Sequence, residues 1–221
     1  AQVAADGERQ REQSLRERVS DLLGKHVPEA IAERLIADEA PLRPQRNRGT
    51  ALVMDIAGFT AFSAKHEPEH VVQTLDDVLS EATQVVSARG GGGLSYLGDG
   101  FLATFNAPAA IDTPELAAID TARDLMRVAM RHGFAVRVGI ATGDLVTGII
   151  GNETRQSFTV YGDAVNLAAR LEGLGKHLGH AVIVDEPTQQ AATSTVPFQF
   201  LGEQSVAGID KPVAVYAPAP A

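Results

Sequence analysis

The sequence predicts an α+β fold with a ferredoxin-like βαββαβ core, because of the order and the character of its segments. From residue 50 onward, apolar runs typical of strands and periodic segments typical of helices follow one another in the order β-α-β-β-α-β. This order is the split βαβ pattern. Additional α and β segments follow towards the carboxyl end, and a helical segment precedes the core. We therefore divide the chain into residues 1–49 and residues 50–221.

The first half of the predicted domain contains a buried strand and a hairpin. Residues 50–56 (TALVMDI) form a nearly continuous apolar run, which is typical of a central strand. A helical pattern covers residues 67–88 and ends at four glycines. Two short strands at 94–97 and 101–105 are joined by Gly98-Asp99-Gly100, which is a hairpin signal.

The second half of the domain continues with alternating elements. A helix is predicted for residues 113–132, with Thr113 as its cap. The other predicted elements are strands at 135–142 and 145–150, a helix at 164–174, a strand at 181–185, a short helix from Pro187, and strands near 198–201 and 213–216.

The amino-terminal segment carries helical patterns and a linker. Residues 8–23 and 28–37 place apolar side chains at helical spacing, and residues 41–49 are rich in Pro and Arg. The first helix either packs on its own domain or forms a short coiled coil that enters from an upstream module. Because the chain begins with Ala1 rather than Met, we expect it to be a piece of a larger protein.

The composition excludes several classes of protein. The absence of cysteine excludes a disulfide scaffold, a thiolate metal site and a cysteine nucleophile. Residues 1–50 hold nine basic and nine acidic side chains, so the rest of the chain carries the whole net charge of −9 and suits nucleic-acid backbones poorly. No apolar run approaches the roughly 20 residues of a membrane span, and the start does not resemble a signal peptide. We therefore expect a cytoplasmic domain that binds no nucleic acid.

Two aspartates are placed where a metal site can form. Asp55 ends the first strand, and Asp99 lies at the tip of the hairpin, which is the neighbour of that strand in the split βαβ order. Two carboxylates at close range repel each other unless a cation lies between them, and Mg²⁺ or Mn²⁺ prefers oxygen ligands of this kind. The alternative is that Asp55 caps Gly58 or Thr60 and that Asp99 only serves its turn.

The turn after Asp55 suits an anion. Gly58, Phe59 and Thr60 follow a small residue, Ala57, and such a turn can direct backbone N–H groups at a phosphate. Taken alone, this signal is weak.

A second polar pair lies on the predicted helix at 164–174. Asn166 and Arg170 are four residues apart and therefore share one helix face. An amide and a guanidinium presented together suit a phosphoryl transition state. The alternative is a surface arginine that packs over Glu172 or Asp163.

Residues 66–70 (HEPEH) match the H-E-x-x-H pattern of zinc proteases by letters. That site requires both histidines on one continuous helix turn. Pro68 fits the first position of a helix far better than its interior, which leaves His66 in the preceding loop. We therefore expect no zinc site here.

Four segments together resemble the catalytic domain of class III nucleotidyl cyclases of the bacterial type. They are residues 52–60 (LVMDIAGFT), 96–105 (YLGDGFLATF), 136–151 (VRVGIATGDLVTGIIG) and 158–172 (FTVYGDAVNLAARLE), and they occur in the order of the family. The resemblance spans residues 50–216. Residues 15–49 resemble the helical linker that often joins such domains to upstream modules, so the resemblance implies an upstream sensory or membrane module in the full-length protein.

The resemblance implies a head-to-tail homodimer with two sites at its interface. It implies that Asp55 and Asp99, with the carbonyl group of Ile56, bind two Mg²⁺ or Mn²⁺ ions per site. The turn at Phe59 and Thr60 would hold the triphosphate of the nucleotide.

The resemblance also assigns residues that the partner chain would contribute. Asn166 and Arg170 would orient the ribose and stabilise the transition state. Ser95 and Thr159 occupy the two base-reading positions, where adenylyl cyclases typically carry Lys with Asp or Thr, and guanylyl cyclases carry Glu with a small residue. Thr159 fits one adenylyl subclass, whereas Ser95 fits neither pattern.

The resemblance therefore implies an adenylate cyclase that converts ATP to 3′,5′-cyclic AMP and pyrophosphate in signal transduction. Two alternatives remain open: a guanylate cyclase that makes cyclic GMP, and a catalytically silent module for nucleotide binding or dimerisation. The presence of Asp55, Asp99, Asn166 and Arg170 argues against the silent module.

Overall fold

The structure is a computed structural model that describes residues 43–152 and 156–220. The predicted helices at 8–23 and 28–37 lie outside these ranges. In chain order, the elements are β1 (Gln45–Ala57), α1 (Phe59–Ser63), α2 (Pro68–Ala88), β2 (Gly92–Leu97), β3 (Gly100–Phe105), α3 (Pro114–Arg131), β4 (Ala135–Gly151), β5 (Gln156–Tyr161), α4 (Asp163–Leu178), β6 (Val182–Asp185), α5 (Glu186–Ala192), β7 (Phe198–Gln204) and β8 (Val213–Pro218).

One mixed sheet organises these elements. Its strand order is β2-β3-β1-β4-β6-β8-β7, and β5 pairs with β4. The central strand β1 is antiparallel to both β3 and β4, whereas β6 runs parallel to β4. The first four strands of this order form the ferredoxin-like core, so the predicted α+β fold class is confirmed.

The alternation of side chains along β1 separates two hydrophobic clusters. Leu52, Met54 and Ile56 pack in the cluster that contains the buried residues of α2 and α3. Ala51 and Val53 pack in the second cluster, which contains the buried residues of α4. Because successive side chains of a strand point to opposite faces, Asp55 lies on the same face as α4.

Two strands differ from the sequence prediction. Strand β1 begins at Gln45, five residues before the predicted start. The predicted strands at 135–142 and 145–150 form the single strand β4, because Gly143 and Asp144 continue the ladder by pairing with Gly49 and Arg48. The additional strand β5 was not predicted.

The helices differ mainly at their ends. Helix α4 extends to Leu178, beyond the predicted end at residue 174, and Gly179 in a left-handed conformation terminates it. Thr113 holds the N-cap position of α3, but its side chain makes no capping hydrogen bond, so that predicted contact was wrong. Pro68 is the first residue of α2, as predicted. No helix in the described ranges is long and apolar enough to cross a bilayer.

Candidate active site

Asp55 and Asp99 meet where β1 and the β2–β3 hairpin come together. Asp55 is paired in register with Gly100 on β3, and Asp99 directly precedes Gly100. A Cβ atom at Gly100 would overlap the carbonyl oxygen of Met54, so this close approach requires glycine. The structure therefore brings the two predicted carboxylates together.

The electrostatics of Asp55 reflect this position. The pKa of Asp55 is raised from 3.8 to about 6: burial contributes most, the negative charges of Asp99 and Glu172 also raise it, and Arg137 lowers it. The Asp99 carboxylate is thus close enough for mutual repulsion, and a divalent cation between the two would relieve it. This arrangement fits a cation site.

The protein would supply only some of the ligands of such a cation. In the described part of the chain, no three His, Cys, Asp or Glu side chains converge on one point. The buried side chain of Ile56 packs in the core, so this residue could offer only its backbone carbonyl. Substrate and water oxygens would have to supply the remaining ligands, which suits an ion that works on a phosphorylated substrate.

Arg137 and Glu172 complete the surroundings of Asp55, and the sequence analysis missed both. Arg137 faces Asp55 across the β1–β4 ladder, and one terminal nitrogen of its guanidinium pairs with Oδ2 of Asp55. Its Nε donates a hydrogen bond of 2.8 Å to Oε1 of Glu172 on α4. The one available signal was a single charged residue inside the apolar strand pattern AVRVGIAT.

The turn after β1 leads into the short helix α1. Gly58 has a left-handed conformation with φ of 81°. Among the described residues, the side chain of Asp55 is hydrogen-bonded to Arg137 and not to Gly58 or Thr60, so the alternative role of Asp55 as a cap is not supported. The ring of Phe59 is buried, and its centroid lies 5.9 Å from that of Phe134. Thr60 is exposed. The turn is therefore anchored by Phe59 and open to solvent at Thr60.

Helix α4 presents Asn166 and Arg170 away from Asp55. Glu172 faces Arg137, and a residue two positions earlier lies about 200° around the helix axis. The guanidinium of Arg170 lies beside Gly208 in the β7–β8 loop, with Nη2 3.1 Å from the position that a Cβ of Gly208 would take. Among the described residues, neither Asn166 nor Arg170 has a side-chain hydrogen bond or ion pair.

The alternative role of Arg170 as a surface residue packed over Glu172 or Asp163 is therefore not supported, because Glu172 is bound to Arg137 and the described residues include no ion pair between Arg170 and Asp163. One chain alone does not bring Asn166 and Arg170 to the two aspartates.

The two predicted base-reading residues lie on β2 and β5. Ser95 on β2 pairs in register with Leu102, Thr159 on β5 pairs with Gly148, and both are half-buried. Strands β2 and β5 approach each other without pairing. Large apolar side chains on these strands and on β4 are exposed: Tyr96, Leu97, Ile150 and Tyr161.

The histidines of the HEPEH segment lie beside the α1 helix. His66 precedes α2, and its Nδ1 lies 2.8 Å from the carbonyl oxygen of Phe62. The ring centroids of His66 and His70 are 5.3 Å apart. His66 is thus outside the helix, as the position of Pro68 predicted.

Comparison with known proteins gives a consistent result. Residues 44–217 match the model of the adenylate and guanylate cyclase catalytic domain. Adenylate cyclase 1 of Rhizobium meliloti is 32% identical over 182 residues, which cover 77% of this chain and 27% of that protein. An uncharacterised protein of Mycobacterium tuberculosis is also 32% identical over 182 residues, which cover 81% of this chain and 34% of that protein.

A solved structure shows the same fold. The crystal structure of the adenylyl cyclase CyaB from P. aeruginosa matches with a TM-score of 0.76 and 25% identity, covering 81% of this chain and 97% of that chain. The chain spans about a third or less of the length of the two relatives from Rhizobium meliloti and Mycobacterium tuberculosis.

Proposed function

The chain belongs to the family of adenylate and guanylate cyclase catalytic domains, and from this premise we propose that it converts ATP to 3′,5′-cyclic AMP and pyrophosphate. In this reaction the ribose 3′-oxygen forms a bond to the α-phosphorus and loses its proton. The bond from the α-phosphorus to the oxygen that bridges to the β-phosphate breaks, and pyrophosphate leaves. The similarity to an adenylate cyclase of Rhizobium and to an adenylyl cyclase of P. aeruginosa supports this reaction.

Asp55 and Asp99, with the carbonyl of Ile56, would hold two Mg²⁺ or Mn²⁺ ions. The support is the convergence of the two carboxylates and the raised pKa of Asp55, which together describe a site whose negative charge is only partly compensated. When bound, such ions lower the pKa of the ribose 3′-hydroxyl and neutralise the leaving phosphates. The turn at Gly58, Phe59 and Thr60 would bind the triphosphate through its backbone N–H groups.

The orientation of α4 is the observation that carries the proposal of a shared site. Glu172 faces the chain's own Asp55 through Arg137, whereas Arg170 faces the β7–β8 loop on the other side of the helix. Arg170 and Asn166 can therefore serve a substrate bound at the aspartates only from a second copy of the chain.

An exposed apolar surface supports that second copy. Tyr96, Leu97, Ile150 and Tyr161 are each about half exposed or more. Aromatic side chains such as the two tyrosines are enriched at protein interfaces relative to the rest of the surface. We infer that the chain forms a symmetric homodimer with two composite sites.

The hydroxyl groups of Ser95 and Thr159 favour adenine over guanine. Guanine presents N–H donors at N1 and N2, and strong recognition of them needs an acceptor such as a carboxylate, which neither residue supplies. Adenine presents an acceptor at N1 and a donor at N6, and two hydroxyls can match these because each can rotate its proton.

Product identification tests this proposal. The purified chain is incubated separately with ATP, GTP, CTP and UTP in the presence of Mn²⁺, and products are identified by mass spectrometry. We expect cyclic AMP from ATP as the main product. If cyclic GMP is the main product, the chain is a guanylate cyclase and the proposed substrate is wrong. If none of the four nucleotides gives a cyclic product, the result favours the catalytically silent module.

A further inference from the structure

Arg137 lies between two carboxylates that belong to different elements. Its Nε donates to Oε1 of Glu172 on α4 at 2.8 Å, while a terminal nitrogen pairs with Oδ2 of Asp55 on β1. The three side chains are 15–28% exposed, so water screens these interactions only in part. The guanidinium is therefore held at two points, one of which is the carboxylate proposed to bind metal.

A glycine on β4 allows α4 to hold Arg137 in this position. A Cβ at Gly139 on β4 would overlap the backbone of Ala168 and Glu172, so glycine at this point lets α4 lie directly against the strand. The stem of Arg137 runs beside Gly175 of α4, with Cδ 3.6 Å from the position that a Cβ of Gly175 would take, which is an ordinary van der Waals distance. The contact between Glu172 and Arg137 is thus built into the packing of α4 on β4.

We propose that Glu172 is a positioning residue that holds Arg137 against Asp55, so that Arg137 acts as a built-in cation that competes with a divalent metal ion for Asp55. The inference rests on the proposed metal-binding role of Asp55. Without metal, the guanidinium compensates part of the negative charge that Asp55 and Asp99 bring together. Because Glu172 fixes the Nε, the guanidinium cannot move far away when metal approaches Asp55, and metal affinity is lower than the two aspartates alone would give.

Two neutral variants of similar size separate position from charge. Glu172→Gln keeps an oxygen that can accept from Nε, whereas Glu172→Leu does not. Mn²⁺ binding without nucleotide, measured from the electron paramagnetic resonance signal of the free ion, should be about three- to tenfold tighter in the Leu variant than in the Gln variant, as expected for loss of one hydrogen bond. In an Arg137→Met background, the two variants should bind Mn²⁺ equally.

A second measurement does not depend on metal binding. The ¹⁵N-detected Nε–H signal of Arg137 should be protected from exchange with water in the wild type and in Glu172→Gln, and unprotected in Glu172→Leu. If Glu172→Leu fails to fold, Glu172→Asp replaces it, because Asp keeps the charge but is one methylene too short for the contact.

The outcomes separate this inference from the proposed function. The role of Glu172 would be overturned if the Leu variant bound Mn²⁺ as tightly as the Gln variant or more weakly. It would also be overturned if the Nε–H of Arg137 were unprotected in the wild type. Unchanged Mn²⁺ binding in Asp55→Asn would instead overturn the metal site of the proposed function, and the Nε–H signal would still report on Glu172.

Discussion

At the scale of single residues, Asp55 is surrounded by three charged side chains of opposing effect. Asp99 and Glu172 raise its pKa, and Arg137 lowers it. Burial on the face of α4 adds to the cost of its negative charge, so this carboxylate is in an environment that favours a cation.

Replacing either proposed metal ligand should abolish turnover. Asp55→Asn and Asp99→Asn each remove one anionic oxygen and keep the size of the side chain, so we expect a loss of kcat of at least about a hundredfold. The rate of cyclic AMP formation with saturating Mn²⁺ measures the effect. The matched control Asp112→Asn should keep wild-type activity. A variant at Asp55 or Asp99 that retains most of its turnover contradicts the metal assignment.

Base preference should respond to Ser95 and Thr159. A single hydrogen bond contributes about 0.5–1.5 kcal/mol, which allows up to roughly tenfold discrimination. Ser95→Lys should therefore increase the ratio of kcat/KM for ATP over GTP, and Ser95→Glu combined with Thr159→Ala should shift it towards GTP. The same ratio in Ser87→Lys, which changes an exposed serine on α2, should stay at the wild-type value. A wild-type preference for GTP would show that the two hydroxyls do not read adenine.

At the scale of elements, a buried carboxylate joins β6 to α5 and to β4. Asp185 caps α5 by accepting from the backbone N–H of Thr188 at 3.0 Å, and its second oxygen accepts from the N–H of Thr142 at 3.1 Å. The hydroxyls of Thr142 and Thr188 are 2.8 Å apart, and Thr50 extends this buried chain to β1. Three strands and one helix are thus tied together by a polar network within the sheet.

The stability of the domain should decrease as the pH rises through the titration of Asp185. Burial raises the pKa of Asp185 from 3.8 to about 6, so the folded state binds this proton more tightly than the unfolded state. The full effect is roughly 3 kcal/mol, of which about 1 kcal/mol falls between pH 5 and pH 7.5.

Urea unfolding of the wild type and of Asp185→Asn at both pH values measures this effect. The free energy of unfolding of the wild type, relative to the variant, should be about 1 kcal/mol lower at pH 7.5 than at pH 5. A difference that does not change with pH would show that Asp185 keeps an ordinary pKa.

The close packing of α4 on β4 should make Gly139 intolerant of a side chain. Gly139→Ala forces a methyl group against the backbone of Ala168 and Glu172, and we expect a loss of about 1–3 kcal/mol in the free energy of unfolding. The control is Gly173→Ala on α4, where no atom lies within 4 Å of the new methyl group. That variant should gain about 0.5–1 kcal/mol from helix propensity. Equal effects of the two substitutions in urea unfolding would contradict the packing argument.

The sequence contained enough information to predict the order of the core elements and the meeting of Asp55 with Asp99. Both follow from local patterns, namely a continuous apolar strand and a glycine-flanked hairpin, combined with one topology. The break predicted in β4 was wrong because Gly143 and Asp144 are stabilised by pairing with Gly49 and Arg48, which no local pattern reports.

The roles of Arg137 and Glu172 were not predictable in the same way. Arg137 and Glu172 are 35 residues apart in the chain. Their contact depends on the register of β4 against β1 and on the distance between the axis of α4 and the sheet. Gly175 illustrates the same limit: in the sequence it resembles a helix end, whereas in the structure it is buried, a Cβ there would lie 2.8 Å from the carbonyl oxygen of His180, and α4 continues past it.

At the scale of the whole molecule, the central claim is that one active site needs two copies of the chain. Within a single chain, Arg170 lies on the opposite side of α4 from the contact that leads to Asp55. In a symmetric dimer, each interface surface meets its own counterpart, and two equivalent sites result. Asp55 and Asp99 of one protomer would then face Asn166 and Arg170 of the other.

Mixing two inactive variants tests this claim most directly. Asp55→Ala and Arg170→Ala should each be inactive as homodimers, whereas a heterodimer of the two has one intact site and one site with both substitutions. Random exchange at equal concentrations should therefore restore roughly a quarter of wild-type cyclic AMP formation, since half of the dimers are mixed and each has one working site. Heterodimer formation is verified by co-purification through a tag on one variant only. Activity that returns on mixing supports the composite site, and verified heterodimers that stay inactive contradict it.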